Sequence, residues 1–188
     1  ILPFRPKDSA EAYSKIWTIE GSPLLVKSQA LADKLHERLG APVALSMRYG
    51  KPAIADGLQV LHDSGVTQVC IVPLYPHHAD STITTSVNAA MEQMPDNMQA
   101  DVITPFYQAP EHTKAWGENI RKHLPKQWDH LLLSYHGLPE RHLTKADPTN
   151  QHCLKQQDCC SVNSVAHKTC YRHQVMVTSQ EIARYLDI

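Results

Sequence analysis

Four of the five cysteines lie in one short segment near the carboxyl end of the chain. They are Cys153, Cys159, Cys160 and Cys170, spaced C-x5-C-C-x9-C, whereas Cys70 stands alone. Four thiolates can hold a zinc ion or a two-iron, two-sulfur cluster. The spacing matches neither a C-x2-C zinc knuckle nor a standard ferredoxin, so it does not choose the metal. The alternative is a set of four free, buried thiols.

A histidine ends an apolar run just before these cysteines. Residues 131–136 are Leu-Leu-Leu-Ser-Tyr-His, and Gly137 and Pro139 then break the run. Such a run is typical of a strand buried on both faces of a parallel sheet, and open α/β sheets bind ligands at the carboxyl ends of their strands. There His136 could bind a metal ion or accept a proton, or it could merely satisfy backbone groups. Followed by the thiols, it indicates metal chemistry.

The elements that would position these residues alternate along the chain. Strands are predicted at residues 43–47, 69–74, 102–105 and 131–135, and their starts lie about 30 residues apart, as in βα units. Helices are predicted near Asp8, from Pro23 to Gly40 with Ser22 as N-cap, at 52–64, 81–94 and 111–124, and from near Ser164. The pattern predicts an α/β protein with a parallel sheet. Cys70, in a buried strand, is expected to be a core residue.

Length and composition narrow the class of protein. The 188 residues suffice for one domain or slightly more, and 18 basic against 19 acidic residues imply no nucleic-acid partner. No apolar run approaches the roughly eighteen residues of a membrane span, and Ile1 does not begin a recognisable signal peptide. We therefore expect a cytoplasmic protein in which clustered thiols bind metal rather than form disulfides. Peripheral membrane contact and the oligomeric state are left open.

Several stretches together resemble the ferrochelatases, which insert ferrous iron into a porphyrin. The run at 131–139, followed by Ala146-Asp147-Pro148, is similar to the signature of that family, although Ala146 replaces a common glycine. Residues 47–52 (Met-Arg-Tyr-Gly-Lys-Pro), residues 73–76 (Pro-Leu-Tyr-Pro) with Ser81-Thr82, and the opening stretch also match. The resemblance covers nearly the whole chain in order. It implies synthesis of heme from ferrous iron and a porphyrin of the protoporphyrin IX type.

The resemblance also implies roles for individual residues. His136 would be the catalytic residue, as ligand of the iron substrate or proton acceptor. The porphyrin-binding positions would be Arg5, Tyr13, Ser22, Arg48, Tyr49, Tyr75 and Ser81, whose aromatic faces and polar groups suit a flat macrocycle with propionates. Taken singly, each could be an ordinary core or surface residue. The adjacent pair His77 and His78 is expected to be solvated rather than ligating.

Some bacterial ferrochelatases carry an iron–sulfur cluster on an insertion just after the signature, and the cysteine segment resembles that insertion. The implied cofactor is a 2Fe-2S cluster on Cys153, Cys159, Cys160 and Cys170, with zinc as the alternative.

The fold implied is a doubly wound α/β chelatase with two similar halves facing across a cleft. Residues 1–127 would form the first half without its first strand, and residues 128–188 the start of the second half, with the cysteine-rich insertion at 150–171. The chain is then an interior piece. The second catalytic residue of the family, a glutamate, would lie beyond Ile188, and we expect the piece alone to be inactive. A chelatase for another tetrapyrrole and a non-enzymatic iron–sulfur or zinc module are the competing hypotheses.

Overall fold

A computed structural model describes residues 5–188 of the chain, with side chains given from Ser9 onward. Its α-helices are α1 (Arg5–Ser14), α2 (Pro23–Leu39), α3 (Ile54–Asp63), α4 (Thr85–Glu92), α5 (Pro110–His123), α6 (Glu140–Lys145) and α7 (Tyr171–Leu186). A π-helix at Asp80–Thr84 precedes α4, and a 3-10 helix at Val165–Lys168 precedes α7. Two strands, β1 (Gln68–Ile71) and β2 (Gln99–Val102), form one sheet.

The two strands run in the same direction. The N–H of Gln99 donates to the carbonyl of Thr67 at 2.8 Å, and four residues further along both strands the N–H of Ile103 donates to the carbonyl of Ile71 at 2.9 Å. This evenly advancing pattern is that of a parallel ladder. Helices with a small parallel sheet confirm the predicted α/β class.

Two compact units are distinguished by their internal contacts. The first comprises Ile1–Gln68 and Glu92–Gln99, and the second comprises Val69–Met91 and Ala100–Ile188. These units are not the two predicted halves, and the boundary between residues 127 and 128 stays a prediction. No helix within residues 5–188 is long and apolar enough to cross a membrane.

Local signals place the elements of the first unit. Ser22 has extended backbone, Pro23 occupies the first turn of α2, and Gly40 ends the helix at φ 63° with its N–H donating to the carbonyl of His36. This confirms the predicted helix start and stop. Helix α3 packs closely on the preceding segment, because a Cβ at Gly57 would lie 2.1 Å from the Oγ of Ser46.

The second unit is organised by the packing of α5 against α7. Gly117 of α5 lies so close to Tyr185 of α7 that a Cβ there would be 2.1 Å from the Cδ1 of the ring. Arg121 reinforces the contact, since its guanidinium donates to the carbonyl of Tyr185 at 2.7 Å and lies 4.8 Å from the ring centre. Ile182 and Leu186 of α7 are buried.

The predictions for two strands were wrong. Residues 43–47 form no strand but a single bridge between Met47 and Ala53, and residues 131–135 carry no strand assignment. A strand needs a backbone partner, and these segments find no ladder within residues 5–188. Cys70 was also predicted wrongly as a core residue, because it is exposed on β1. Along β1 the side chains alternate between exposed and covered, so only one face of this strand is buried.

Helix boundaries differ from the predictions in the second unit. The helix predicted at 81–94 is divided into the π-helix and α4, and α6 was not predicted. Ser164, expected near the start of the last helix, instead caps the 3-10 helix by accepting the N–H of Ala166 at 3.2 Å. Helix α7 begins only after Cys170, whose sulfur accepts the N–H of His173 at 3.5 Å.

Candidate functional site

The segment that ends at His136 has extended character although it joins no sheet. Along residues 131–136 the side chains alternate between partly buried and exposed, and Leu132 is 88% exposed. Such a period of two is that of extended backbone, in which successive side chains point to opposite faces. His136 falls on the exposed face, and the neighbouring Tyr135 falls on the covered face.

Tyr135 is fixed to helix α7 through its hydroxyl. The Oγ of Ser179 lies 3.0 Å from the phenol oxygen and 2.9 Å from the carbonyl of Val175. Because the serine has a single hydroxyl proton and the carbonyl can only accept, the phenol donates to Ser179 while Ser179 donates to Val175. The covered face of the segment is thereby attached to α7, and the imidazole of His136 is left accessible.

The four predicted ligand cysteines lie together in the second unit. Cys153, Cys159 and Cys170 are buried, and Cys160 is partly exposed. Burial, reinforced by the adjacent Cys170 sulfur, raises the pKa of the Cys153 thiol to about 12. Burial and the neighbouring Cys159 and Cys170 raise the pKa of Cys160 to about 11. Cys159 and Cys170 therefore lie near both Cys153 and Cys160.

Asp147 holds the start of the cysteine segment in place. Its Oδ2 accepts the backbone N–H groups of His152 and Cys153, both at 2.8 Å. Its Oδ1 accepts the backbone N–H of Thr149 at 2.9 Å and the hydroxyl at 2.7 Å. Burial favours a raised pKa, but these hydrogen bonds outweigh it and hold the pKa of the Asp147 carboxyl well below its usual range.

A further hydrogen bond joins the two ends of the cysteine segment. The hydroxyl of Thr169 donates to the carbonyl of Ala146 at 2.6 Å, which joins the residue before Asp147 to the residue before Cys170. Ala166, fully buried, packs with Cys153 and Cys170. The cysteines therefore belong to a closed loop with a small apolar centre.

Three histidines that the sequence analysis did not single out line the same loop. The Nε2 atoms of His152 and His167 lie 2.6 and 2.9 Å from the carbonyl oxygen of Cys159, and the Nδ1 of His173 lies 2.7 Å from that of Cys160. A carbonyl only accepts, so each of these ring nitrogens carries a proton. The rings of His167 and His173 stack at 3.6 Å. The sequence feature that could have identified these histidines is their closeness along the chain to the four cysteines.

Four thiols are the donor type that zinc and iron–sulfur clusters take, but donor type alone does not identify the group. No three histidine, cysteine or acidic side chains among the described residues are arranged to hold a metal ion. The raised pKa values of Cys153 and Cys160 keep these two thiols protonated in this arrangement. Metal ligation requires thiolates, and burying four of them together requires a cation to compensate their charge. Either an iron–sulfur cluster or zinc satisfies that requirement.

Four of the predicted porphyrin-binding residues with described side chains lie in the first unit. Tyr13 is 59% exposed and meets Trp17 edge-on at 6.3 Å. The guanidinium of Arg48 lies 4.7 Å from the ring centre of Tyr49, which is 76% exposed, while the Nε of Arg48 is buried without a partner. The Ser22 side chain makes no capping hydrogen bond. The side chain of Arg5 lies outside the described residues.

The other two predicted porphyrin-binding residues lie in the second unit, as does His136. Tyr75 is 37% exposed and follows β1. Ser81 is exposed on the π-helix, where its carbonyl accepts the hydroxyl of Thr85 at 3.1 Å. Short π-helical turns occur frequently at functional sites. The predicted set is thus divided between the two units, and its convergence on one cleft stays a prediction.

Comparison with known proteins gives the family. The Ferrochelatase family model matches residues 1–188. Relatives named ferrochelatase include those of Pseudomonas fluorescens (strain SBW25), 44% identical over 100% of this chain and 57% of the relative, and Stutzerimonas stutzeri (strain A1501), 46% identical over 97% of this chain and 55% of the relative. The ferrochelatase of Pseudomonas syringae pv. tomato is 44% identical over 100% of this chain and 56% of its own length. The chain spans about half the length of these curated relatives. Because the family model matches the whole chain, the chain belongs to the ferrochelatase family.

Proposed function

We propose that the full-length protein inserts ferrous iron into a porphyrin of the protoporphyrin IX type to make heme. The observation that carries this proposal is the family match over all 188 residues, which includes the segment leading to the exposed His136. The chain spans about half the length of its relatives, so the activity is proposed for the full-length protein and not for this chain alone.

His136 is proposed to act directly on the reacting atoms. Insertion replaces two pyrrole N–H protons by one ferrous ion, so the products are the iron porphyrin and two protons. A neutral imidazole can bind the incoming ion through a ring nitrogen or accept one of the leaving protons. The exposed position of His136 supports either role, because a group that meets an external substrate must be accessible.

Arg48 and Tyr49 are proposed to contact the macrocycle. The stacked guanidinium and ring offer one cationic and one aromatic surface in the same place. Porphyrins carry propionates on a flat, apolar ring system, so a cation beside an exposed aromatic face suits them. Tyr13, Ser22, Tyr75, Ser81 and Arg5 are proposed for the same surface on the family resemblance alone.

The four clustered cysteines are proposed to hold a 2Fe-2S cluster, with zinc as the alternative. The burial of three of them, the closeness of Cys159 and Cys170 to the other two, and the closed loop around them support a resident group. When bound, a 2Fe-2S cluster supplies a one-electron redox couple. Asp147 would keep the backbone of Cys153 in place, and the donated N–H of His173 would keep that of Cys160.

The proposal is tested by substrate choice in the purified full-length protein. Anaerobic incubation with ferrous iron and protoporphyrin IX should give the absorption spectrum of heme, with multiple turnovers. Sirohydrochlorin, offered with ferrous iron or cobalt, is the matched comparison. Preferential turnover of sirohydrochlorin would instead support a chelatase for another tetrapyrrole, and the absence of turnover with either substrate would support a binding module.

A further inference from the structure

His77 is a partly buried residue of the loop that connects β1 to the π-helix, two residues after Tyr75. Its Nε2 is 2.9 Å from the hydroxyl of Thr178, a residue of α7 that is 2% exposed. The same hydroxyl lies 3.4 Å from the carbonyl of Tyr107, to which it donates. Which of the two groups donates in the 2.9 Å contact depends on the tautomer of His77.

Four aromatic rings surround the imidazole of His77. Those of Tyr135 and Tyr171 each lie 5.7 Å away, with interplanar angles of 84° and 77°. Those of Tyr107 and His112 each lie 6.4 Å away. The edge-to-face arrangement with Tyr135 and Tyr171 is a favoured geometry for aromatic pairs. His77 is therefore an interior packing centre, and the expectation of a solvated histidine at this position was wrong.

Helix α7 holds both His77 and Tyr135 through adjacent residues. Thr178 is hydrogen-bonded to His77, and Ser179 accepts from the phenol of Tyr135. Tyr135 is thus fixed at two points, its ring against His77 and its hydroxyl on α7. Since side chains alternate in extended backbone, holding Tyr135 toward α7 directs the next side chain, His136, to the opposite face.

The chemistry of His77 suits a structural contact. Burial, followed by the proximity of His112, lowers the pKa of His77 to about 4, so the ring is uncharged near neutral pH. An uncharged ring packs among aromatic neighbours without the penalty of burying a charge. Its Nε2 is already hydrogen-bonded to Thr178.

We propose that His77 is a positioning residue that holds Tyr135 against α7 and so orients His136 toward its substrates. This inference rests on the proposed function of His136. No direct contact of His77 with iron or porphyrin is part of it. The same loop carries Tyr75, so the contact also joins the backbone of a proposed porphyrin-binding residue to the segment that ends at His136.

The test uses the full-length protein with three substitutions. His77→Ala removes the ring and its hydrogen bond. His77→Gln keeps a side-chain amide that can hydrogen-bond to Thr178, and Thr178→Val removes the hydroxyl while keeping the shape of the side chain. His123→Ala is the control, because His123 is exposed on α5 and bonds locally to the carbonyl of Asn119 at 2.7 Å. Two quantities are measured for each: kcat and KM for iron insertion, and amide hydrogen exchange of residues 131–137.

We expect His77→Ala to lower kcat about tenfold or more with the porphyrin KM changed less than about threefold, because small displacements of a reacting group are costly while binding contacts persist. Exchange at residues 131–137 should rise about fivefold or more as the segment opens more often. His77→Gln should recover part of both losses, and His123→Ala should match the parent. If His77→Ala fails to fold, Thr178→Val decides the question, with changes in the same directions.

Unchanged exchange in both His77→Ala and Thr178→Val would overturn the proposal. So would raised exchange with an unchanged kcat, since the order of the segment would then not matter to the reaction. Full turnover in His136→Ala would overturn the proposed role of His136 instead. In that case the exchange measurement still decides whether His77 holds the segment.

Discussion

The carboxylate of Asp147 accepts the backbone N–H of Cys153 at 2.8 Å, which places a buried negative charge at the entrance to the cysteine loop. The same carboxylate accepts three further donors, from Thr149 and His152. A carboxylate satisfied in this way fixes a turn of the backbone that a neutral side chain cannot hold as firmly, because hydrogen bonds to a charged acceptor are stronger. The geometry of the first cysteine therefore depends on an acidic residue that is not a ligand.

Asp147→Asn should lower the free energy of unfolding by about 1–3 kcal/mol at pH 7, because a buried charge-assisted network is weakened. Asp158→Asn is the matched control, since Asp158 is an exposed residue of the same loop. Urea unfolding of both variants beside the parent gives the comparison. Equal losses at the two positions would contradict the role assigned to Asp147.

The contribution of Asp147 to the free energy of unfolding should also depend on pH. Its folded-state pKa is depressed, so its contribution is fully present above the unfolded pKa of about 4 and is lost as pH falls toward the folded value. The difference in stability between the parent and Asp147→Asn should therefore stay constant from about pH 7 to pH 5 and shrink below about pH 4. If the difference in stability between the two proteins grew as the pH fell, the predicted direction of this pH dependence would be wrong.

The proposed 2Fe-2S cluster on the four cysteines predicts that the protein absorbs visible light. Full-length protein purified anaerobically should contain iron and acid-labile sulfide in equal amounts and absorb visible light. Serine at Cys153, Cys159, Cys160 or Cys170 should abolish the absorption. Cys70→Ser is the matched control and should leave it unchanged, because Cys70 is exposed on β1 outside the loop.

Two outcomes of that experiment would change the assignment of the cysteines. Stoichiometric zinc without visible absorption would favour the alternative metal. Loss of colour on substitution of Cys70 alone would show that the proposed ligand set is wrong.

The contact between α5 and α7 should not tolerate a methyl group at Gly117. Helix propensity alone favours alanine over glycine by about 1 kcal/mol. The new Cβ would nevertheless lie 2.1 Å from the Tyr185 ring, which Arg121 holds in place. Gly117→Ala should therefore destabilise the protein by about 1–3 kcal/mol, the usual cost of overpacking.

Thermal unfolding measures this effect, and Glu118→Ala is its control. Glu118 lies next to Gly117 on α5, is exposed, and has only a surface ion pair with Lys114 at 3.8 Å. Such pairs contribute about 0–1 kcal/mol. A Gly117→Ala protein as stable as the parent would mean that the α5 and α7 helices do not approach each other as described.

Local signals in the sequence predicted a structural feature correctly where that feature depends on residues close together in the chain. Ser22, Pro23 and Gly40 define the ends of α2 because caps act within one turn of backbone. The clustering of the cysteines was likewise visible from their spacing. The strand predictions at residues 43–47 and 131–135 were wrong for the opposite reason, because they depended on distant residues. An apolar run does not show whether a partner strand is present to pair with it.

The histidines show the same limit at the candidate site. His152, His167 and His173 bond to carbonyl groups of Cys159 and Cys160, which are contacts that depend on how the loop closes. His77 contacts Thr178 across 101 positions of the chain. No periodicity or spacing rule links such distant residues, so only the structure could bring them together.

The central claim is that His136 takes part in the insertion of iron. The most direct measurement is the anaerobic rate of heme formation from ferrous iron and protoporphyrin IX by full-length His136→Ala, beside the parent and His123→Ala. Loss of a ligand or proton acceptor should lower kcat by about 10²–10⁴-fold, with the fold and the His123→Ala rate retained. A His136→Ala protein that forms heme at the parent rate would contradict the account.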